Sequence, residues 1–288
     1  MSTLQNPFAP FDALLAGAFE SNIQAALTED VGTGDVTGKL VPENEWVKAR
    51  VVVRESAVLC GAPWFEGVMT QLDPRIRIDW RYPEGAVMTK DSEVCAIEAP
   101  ARALLTAERT ALNFLQLLSG VATATRQYVD VVDGTRASIL DTRKTLPGLR
   151  LAQKYAVRVG GGKNQRMALY DGILIKENHI AAAGGITQAM RAAQALNAGV
   201  SIQIEVENLT ELEDALAAGA TSILLDNFTL EMMREAVKRT DGKAVLEASG
   251  GINMNTVRAI AETGVDRISI GSLTKDVRAT DYSLRIVG

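Results

Sequence analysis

A dense group of basic residues lies in the middle of the chain, between Asp141 and His179. This stretch carries eight lysines and arginines against three acids, a net charge of +5, whereas the whole chain carries −5. The basic residues are Arg143, Lys144, Arg150, Lys154, Arg158, Lys163, Arg166 and Lys176. A positive pocket in an acidic protein suits a small polyanionic ligand better than a nucleic acid, which needs a broad basic surface. We therefore expect an anionic small-molecule substrate and no nucleic-acid partner.

The positions of the basic residues divide them into two groups. Arg143 and Lys144 follow the apolar run ASILD, and Lys176 follows the apolar run GILI. Both runs are typical of buried strands, and α/β folds place ligand chemistry at the carboxyl ends of such strands. We expect these three residues and Arg166 to be functional. We expect a nearby helix to turn its basic side chains to solvent, namely Arg150, Lys154 and Arg158.

Composition narrows the class of protein. The 288 residues are 47% hydrophobic and 23% charged, which is ordinary for a globular protein with a well-buried core. No run approaches the roughly 18 apolar residues of a membrane span, and the N-terminus lacks the basic and apolar regions of a signal peptide. Cys60 and Cys95 show neither disulfide nor metal-ligand spacing. We predict a cytoplasmic protein without membrane association.

The first hundred residues predict a mixed α/β unit without a repeating βα pattern. A helix is expected over Phe11–Leu27 and another beginning at Pro63, with alternating strand patterns around them. The stretch Ala101–Gly134 is then helical, with a predicted break near Gly120. Arg109 lies in this helical stretch, where an arginine is ordinarily a surface residue.

From Ala137 onward, strands and helices alternate. Glu205, Asp226 and Glu247 are spaced 21 residues apart and Gly271 follows 24 residues later, which is the period of a compact βα unit. Six strands are predicted, whereas a closed eightfold barrel needs about 250 residues. The predicted fold class is therefore α/β, with a mixed α/β domain over residues 1–114 and an incomplete, open six-stranded α/β barrel over residues 115–288. The last dozen or so residues are expected to be able to return to the first domain.

Acids and bases are predicted to meet at the mouth of this barrel. Glu205 and Asp226 end successive strands and would face Lys144 and Lys176. Carboxylates beside an anionic ligand suggest Mg²⁺ shared with substrate phosphates, so Glu205 and Asp226 are candidate metal ligands, directly or through water. The alternative is that these acids and bases only form salt bridges across the mouth.

Two later loops carry small residues between a strand and the next helix. Such residues let backbone N–H groups approach a phosphate, and late barrel loops often bind one. The candidate phosphate-binding residues are Ser249, Gly250, Gly251, Gly271 and Ser272. The alternative is that both loops are merely tight turns. The single histidine, His179, is expected to hydrogen-bond the turn in KENHI rather than to act in catalysis.

Eight motifs occur in order along nearly the whole chain: ERTALNFLQ, DTRKTLPGLR, GGGKNQR, LIKENHI, IEVENL, LLDNF, LEASGGI and ISIGSLT. Together they resemble the quinolinate phosphoribosyltransferase (nicotinate-nucleotide pyrophosphorylase) family. The resemblance implies transfer of phosphoribose from phosphoribosyl pyrophosphate to quinolinate with decarboxylation, giving nicotinate mononucleotide, CO₂ and pyrophosphate in NAD biosynthesis. It also implies that the N-terminal domain is an α/β sandwich. Mg²⁺ and a homodimer, in which the partner's N-terminal domain covers each barrel mouth, are further implications.

The resemblance also assigns roles to residues. It makes Lys144, Lys176, Glu205 and Asp226 catalytic and implies substrate contacts by Arg109, Thr142, Arg143, Gln165 and Arg166. One departure is visible, because the family motif usually reads Asn-His-Arg and this chain has Asn164-Gln165-Arg166. The alternatives left open are a related phosphoribosyltransferase that acts on another base, a Schiff-base lyase that uses Lys176 as its nucleophile, and a phosphometabolite-binding protein without catalytic activity.

Overall fold

The computed structural model describes residues 3–42 and 44–287. The chain forms two compact units that are not continuous in sequence. The first comprises the described residues up to Arg126, the segment Thr145–Gly161 and the described residues from Thr274 onward. The second comprises Gln127–Lys144 and Gly162–Leu273. The predicted boundary between residues 114 and 115 falls inside the first unit.

The first unit contains four helices: α1 (Ala13–Asp30), α2 (Ala62–Leu72), α3 (Ala101–Val131, whose last residues belong to the second unit) and α4 (Arg150–Val159). The predicted helix over Phe11–Leu27 corresponds to α1, which begins two residues later because Asp12 caps it by accepting a hydrogen bond from the Leu15 N–H. The helix predicted to start at Pro63 corresponds to α2, which begins one residue earlier at Ala62, so that the proline lies in its first turn.

The break predicted near Gly120 is wrong. Helix α3 runs without interruption, and the glycine serves close packing instead of a turn. A Cβ atom at Gly120 would collide with the carbonyl group of Arg278, and two residues later the Thr280 N–H donates to the Gln116 carbonyl at 3.0 Å. The helix therefore needs a residue without a side chain where a second segment crosses its backbone.

The solvent-facing helix predicted after the basic loop is only partly correct. Arg158 on α4 is exposed, but Lys154 is 1% exposed and lies among the largest buried side chains of the protein. The reason is that α4 packs against α1 and its residues from Ala152 to Val157 are all buried. The alternation of charge in the sequence did not reveal that this helix is covered on most of its surface.

The strands of the first unit form a four-stranded antiparallel sheet and a small two-stranded ribbon. The four-stranded sheet has the order β12-β1-β5-β3, so β1 lies between the last strand and β5. Its strands are β1 (Trp46–Val53), β3 (Arg77–Trp80), β5 (Glu93–Pro100) and β12 (Tyr282–Val287). The ribbon pairs β2 (Ala57–Val58) with β4 (Val87–Met88).

The second unit is a six-stranded, wholly parallel sheet with the order β6-β11-β10-β9-β8-β7. Its strands are β6 (Ser138–Leu140), β7 (Gly172–Ile175), β8 (Ser201–Val206), β9 (Ser222–Asp226), β10 (Val245–Ser249) and β11 (Arg267–Ser269). Strands β7 to β11 follow one another as neighbours and β11 then pairs with β6, which leaves the sheet open between β6 and β7. The predicted incomplete six-stranded barrel is confirmed.

Helices connect the strands of this sheet: α5 (Glu177–Ala183), α6 (Ile186–Ala195), α7 (Leu209–Ala217), α8 (Leu230–Thr240), α9 (Val257–Ala261) and α10 (Ser272–Lys275). Asn208 and Thr229 cap α7 and α8 by accepting hydrogen bonds from the N–H groups of Glu211 and Met232. These caps fix where each strand-to-helix loop ends. None of the helices in residues 3–42 and 44–287 combines the length and the hydropathy that a bilayer-spanning segment requires.

Candidate active site

The candidate residues of the second unit gather at one edge of its parallel sheet, where the strands end. Lys176 follows β7, Asp226 and Ser249 end β9 and β10, and Gly271 follows β11. Ser249 is the register partner of Asp226. Ile175 is the partner of Ile204, and the residue after each of these, Lys176 and Glu205, therefore lies at the same height along the strands. In a parallel α/β sheet this edge is where ligands bind.

Lys176 and Glu205 form an ion pair at this edge, with 3.1 Å between Nζ and Oε2. Glu205 is 9% exposed, and its burial raises the pKa of the carboxyl group, with further upward contributions from Asp226 and Glu177 and an opposing one from Lys176. One of the salt bridges that the sequence left open is therefore present. It places a cation and an anion side by side where a charged substrate could exchange partners with them.

Arg143 and Arg166 bring two positive charges close together. The pKa of Arg166 is lowered first by burial and then by the charge of Arg143, with Asp171 opposing. Arg166 donates through Nη1 to the Gly172 carbonyl at 3.0 Å. The Nε of Arg143 is buried and has no hydrogen-bond partner among the described residues. Two neighbouring guanidinium groups, one with an unsatisfied buried donor, form an arrangement that an anion would complete.

The side chain of Lys144 crosses over Gly271. A Cβ atom at Gly271 would lie 3.1 Å from the Lys144 Cδ and 3.6 Å from the Thr142 Oγ1, so a side chain here would press against the lysine. Thr142 fixes the loop by accepting a hydrogen bond from the Lys144 N–H at 3.1 Å. The loops after β6 and β11 are thus packed together, and Ser272 begins the short helix α10 directly beside them.

The loops after β9 and β10 are packed together in a similar way. Gly250 and Gly251 have φ values of +101° and +60°, and a Cβ atom at Gly250 would collide with the Asn227 side chain. Asn227 donates through its N–H to the Ser249 carbonyl at 3.1 Å and through Nδ2 to the Asp226 carboxylate at 2.9 Å. Asn227 therefore orients Asp226, a role that its place in the motif LLDNF could have suggested.

Gln165 is held inside the barrel by residues that were not among the predicted site residues. Its Nε2 donates to Gln203 and Glu247, and its backbone N–H donates to Asp141. Asp141 and Glu247 are both 0% exposed. The sequence does hold a signal, because Gln203 and Glu247 are polar residues inside the apolar strands β8 and β10. In the sequence analysis Glu247 marks only the spacing of the βα repeat. The sequence alone gave no reason to connect these side chains.

Two further candidates have clear positions. His179 accepts a hydrogen bond through Nδ1 from the Lys176 N–H at 3.0 Å at the start of α5, so its predicted role in the turn is confirmed. Arg109 is exposed on α3 in the first unit, whereas the other predicted site residues belong to the second unit.

Glu205 and Asp226 are the candidate metal ligands at this edge of the sheet. Within residues 3–42 and 44–287, no group of three or more histidine, cysteine, aspartate or glutamate side chains surrounds a possible metal position. Glu205 and Asp226 are near enough for the charge of Asp226 to act on the pKa of Glu205. Two carboxylates suit a Mg²⁺ ion that takes its remaining oxygen ligands from substrate phosphates and water.

Comparisons with known proteins agree with this geometry. Residues 35–119 match the N-terminal domain, and residues 121–285 the C-terminal domain, of quinolinate phosphoribosyl transferase. A nicotinate-nucleotide pyrophosphorylase (carboxylating) of Mycobacterium leprae is 42% identical over 93% of this chain and 96% of its own. A probable nicotinate-nucleotide pyrophosphorylase (carboxylating) of Bacillus subtilis is 41% identical over 90% of both chains.

Similarity extends to solved structures. The nicotinate-nucleotide pyrophosphorylase of Francisella tularensis superposes with a TM-score of 0.91 at 44% identity, over 94% of this chain and 96% of its own. Both domain matches and relatives of more than 40% identity cover nearly the whole chain. The chain therefore belongs to the quinolinate phosphoribosyltransferase family.

Proposed function

We propose that this chain transfers phosphoribose from phosphoribosyl pyrophosphate to quinolinate and releases CO₂ and pyrophosphate, forming nicotinate mononucleotide for NAD biosynthesis. The relatives named quinolinate phosphoribosyltransferase or nicotinate-nucleotide pyrophosphorylase support this assignment. The structural observation that carries it is the basic site of Arg143 and Arg166, in which the charge of Arg143 lowers the pKa of Arg166 and the buried Nε of Arg143 lacks a partner among the described residues. A dicarboxylate would satisfy both guanidinium groups.

Quinolinate and phosphoribosyl pyrophosphate are both anions and must occupy one basic site. Arg143 and Arg166 would grip the two carboxylates, since planar guanidinium groups bind carboxylates in a bidentate manner. The backbone of Ser249–Gly251 and the neighbouring loop at Gly271 and Ser272 would bind phosphate through N–H groups that no side chain obstructs. Thr142 would hold the loop that carries Lys144.

The chemical step follows from these positions. The ring nitrogen of quinolinate attacks the anomeric carbon, and the electrons of the breaking C–O bond leave with pyrophosphate. Lys144 and Lys176 would neutralise the charge that builds on the leaving group and the substrate carboxylates. The bond to the 2-carboxylate then breaks and CO₂ leaves. The electron pair of that bond stays on the ring carbon, where the adjacent positive nitrogen stabilises it, until the carbon takes a proton from solvent. Most of the rate enhancement would come from positioning and electrostatic stabilisation.

Mg²⁺ is part of this proposal. Glu205 and Asp226 would hold it, directly or through water, and when bound it would neutralise pyrophosphate charge. Before substrate arrives, Glu205 is paired with Lys176 at 3.1 Å. The protein's own carboxylates would then bind the ion weakly without phosphate, and the metal and phosphoribosyl pyrophosphate would bind together.

The proposal includes a cytoplasmic homodimer with shared active sites. Arg109 is exposed and belongs to the first unit, whereas the basic site belongs to the second. The family resemblance makes Arg109 a substrate contact, which a symmetric pair of chains would allow if each Arg109 served the other chain's site.

A Schiff-base lyase is the alternative of another enzyme class. It would use Lys176 as its nucleophile, and the Nζ of this lysine is already engaged by Glu205 at 3.1 Å. The test is to incubate the purified chain with quinolinate, phosphoribosyl pyrophosphate and Mg²⁺ and to identify the nucleotide by mass. We expect nicotinate mononucleotide from the wild type and almost none from Lys144→Ala. A wild type that forms no nucleotide, or a base that reacts better than quinolinate, would overturn the assignment.

A further inference from the structure

Three side chains form a hydrogen-bonded cluster among the strands of the second unit, here called the amide–carboxylate cluster: Gln165, Gln203 and Glu247. Gln165 Nε2 donates to Gln203 Oε1 at 2.8 Å and to Glu247 Oε2 at 3.0 Å. Gln203 Nε2 donates to the same Glu247 oxygen at 2.9 Å. Glu247 is 0% exposed and Gln203 is 7% exposed. Each side chain in the cluster therefore hydrogen-bonds to both of the others.

The cluster is hydrogen-bonded to the backbone of Arg166 through Gln165. Gln165 Oε1 accepts a hydrogen bond from the Arg166 N–H at 2.6 Å, while both hydrogens of Nε2 have acceptors in Gln203 and Glu247. The amide of Gln165 is thus engaged within the protein on both its oxygen and its nitrogen. Its effect on a ligand would pass through the backbone of Arg166.

A second buried carboxylate anchors the same loop from β6. Asp141 Oδ1 accepts from the Gln165 N–H at 2.9 Å, and Asp141 Oδ2 accepts from Asn164 Nδ2 at 2.6 Å. Asp141 precedes Arg143 by two residues, and Gln165 immediately precedes Arg166. The loop segments that carry the two arginines are therefore tied to each other and, through the amide–carboxylate cluster, to β8 and β10.

Placing a carboxylate in the protein interior costs free energy, because the group loses its contacts with water. Burial of a charged or polar group is unfavourable unless hydrogen bonds compensate for the lost water, and apolar residues of similar volume often give equal or greater stability. Glu247 has neutral amide partners in the cluster, so its contribution to stability alone is a weak reason for its presence. Fixed acceptors that hold two amides in one orientation are the benefit that an apolar residue could not supply.

We propose that Glu247 and Gln203 are positioning residues for the quinolinate-binding arginines, and that they act on Arg166 through Gln165. This inference rests on the proposed function and adds specificity-determining residues to the same site. Both side chains are buried, and their hydrogen bonds join them to Gln165 and to each other. Their removal would misplace Arg166, and a small misplacement of a binding group causes a large loss of affinity.

The informative variants are Glu247→Gln and the exchange Gln203→Glu with Glu247→Gln. In the single variant an NH₂ group replaces one of the two carboxylate oxygens, and both of these oxygens lie within 3.2 Å of Gln165 Nε2. Two donors then face each other, and the orientation of Gln165 is lost. We expect quinolinate to bind about tenfold more weakly, as for the loss of residues that support a binding group, and binding of phosphoribosyl pyrophosphate with Mg²⁺ to change little. The exchange variant keeps one carboxylate facing two amides, because Gln165 Nε2 already reaches both positions, and should recover most of the affinity.

Calorimetric titration with quinolinate and with phosphoribosyl pyrophosphate, together with thermal unfolding, provides the readouts. Thr263→Val is the matched control, since it removes a buried hydrogen bond to Ile260 before β11 and should lower stability without changing quinolinate affinity. A wild type that does not bind quinolinate would remove the proposed function and this inference together. Three results would overturn the inference alone: wild-type affinity in Glu247→Gln, equal weakening for both substrates, or no recovery in the exchange variant.

Discussion

Replacement of Arg166 by glutamine should separate binding from stability. The variant loses a cation next to Arg143 and one hydrogen bond to the Gly172 carbonyl. Relief of the like-charge repulsion from Arg143 favours the folded state, and loss of the hydrogen bond opposes it by about 1 kcal/mol. We therefore expect the free energy of unfolding to change by no more than about 1 kcal/mol.

Quinolinate binding should respond differently. A guanidinium group that grips a carboxylate with two charge-assisted hydrogen bonds contributes about 1.5–3 kcal/mol for each bond. Loss of both gives about 3–6 kcal/mol, or roughly a hundredfold to more than ten-thousandfold loss of affinity. The assays are urea unfolding and calorimetric titration with quinolinate, on the same preparation.

Arg234→Gln is the matched control. Arg234 lies exposed on α8 with a long 3.9 Å contact to Glu231, and a surface pair of this kind contributes about 0–1 kcal/mol. The control should keep both stability and affinity. The reasoning would be refuted if Arg166→Gln bound quinolinate like the wild type, or if it lost binding only because it unfolded.

Two further predictions concern the first unit. Burial raises the pKa of Glu84 to about 7 from an ordinary 4.5, against hydrogen bonds from Gly61, Tyr155 and Ala62. Because the folded state then holds the proton more tightly, the contribution of this group to stability is greatest below pH 4.5 and falls by about 3 kcal/mol as the pH rises to about 7. Urea unfolding over this pH range should show that Glu84→Gln reduces this fall. An unchanged dependence of the unfolding free energy on pH would contradict the prediction. Separately, inactive Arg109→Ala and Lys144→Ala chains, refolded together, should recover about a quarter of wild-type activity, because half the dimers are mixed and half their sites are intact. Mixed dimers without activity would exclude the shared site.

The sequence predicted the architecture of the second unit well because its strands and helices repeat with a regular period. Glu205 and Asp226 marked successive strand ends, and parallel strands bring their ends to one edge whatever the loops do. Lys176 was placed there by the same argument. Local pattern and tertiary fold agree in this part of the chain, which is why the prediction held.

The wrong predictions concern residues whose surroundings are set by tertiary packing. Gly120 was predicted to break the helix, but it instead leaves room for the backbone of Arg278, which packs against it. A contact between segments so far apart in the chain cannot be inferred from the local sequence. Lys154 looked exposed, yet the helix that carries it is covered on most sides. The link from Gln165 to Gln203 and Glu247 joins residues 38 and 82 positions apart, a pairing that only the folded sheet specifies.

The most direct measurement of the central claim is the stoichiometry of the reaction with quinolinate labelled at its 2-carboxylate. With phosphoribosyl pyrophosphate and Mg²⁺, we expect one labelled CO₂ for each nicotinate mononucleotide and each pyrophosphate formed. Nicotinate should not be turned over comparably, because it lacks the carboxylate that the second arginine would bind. A nucleotide that retains the label, or nicotinate consumed as fast as quinolinate, would contradict it.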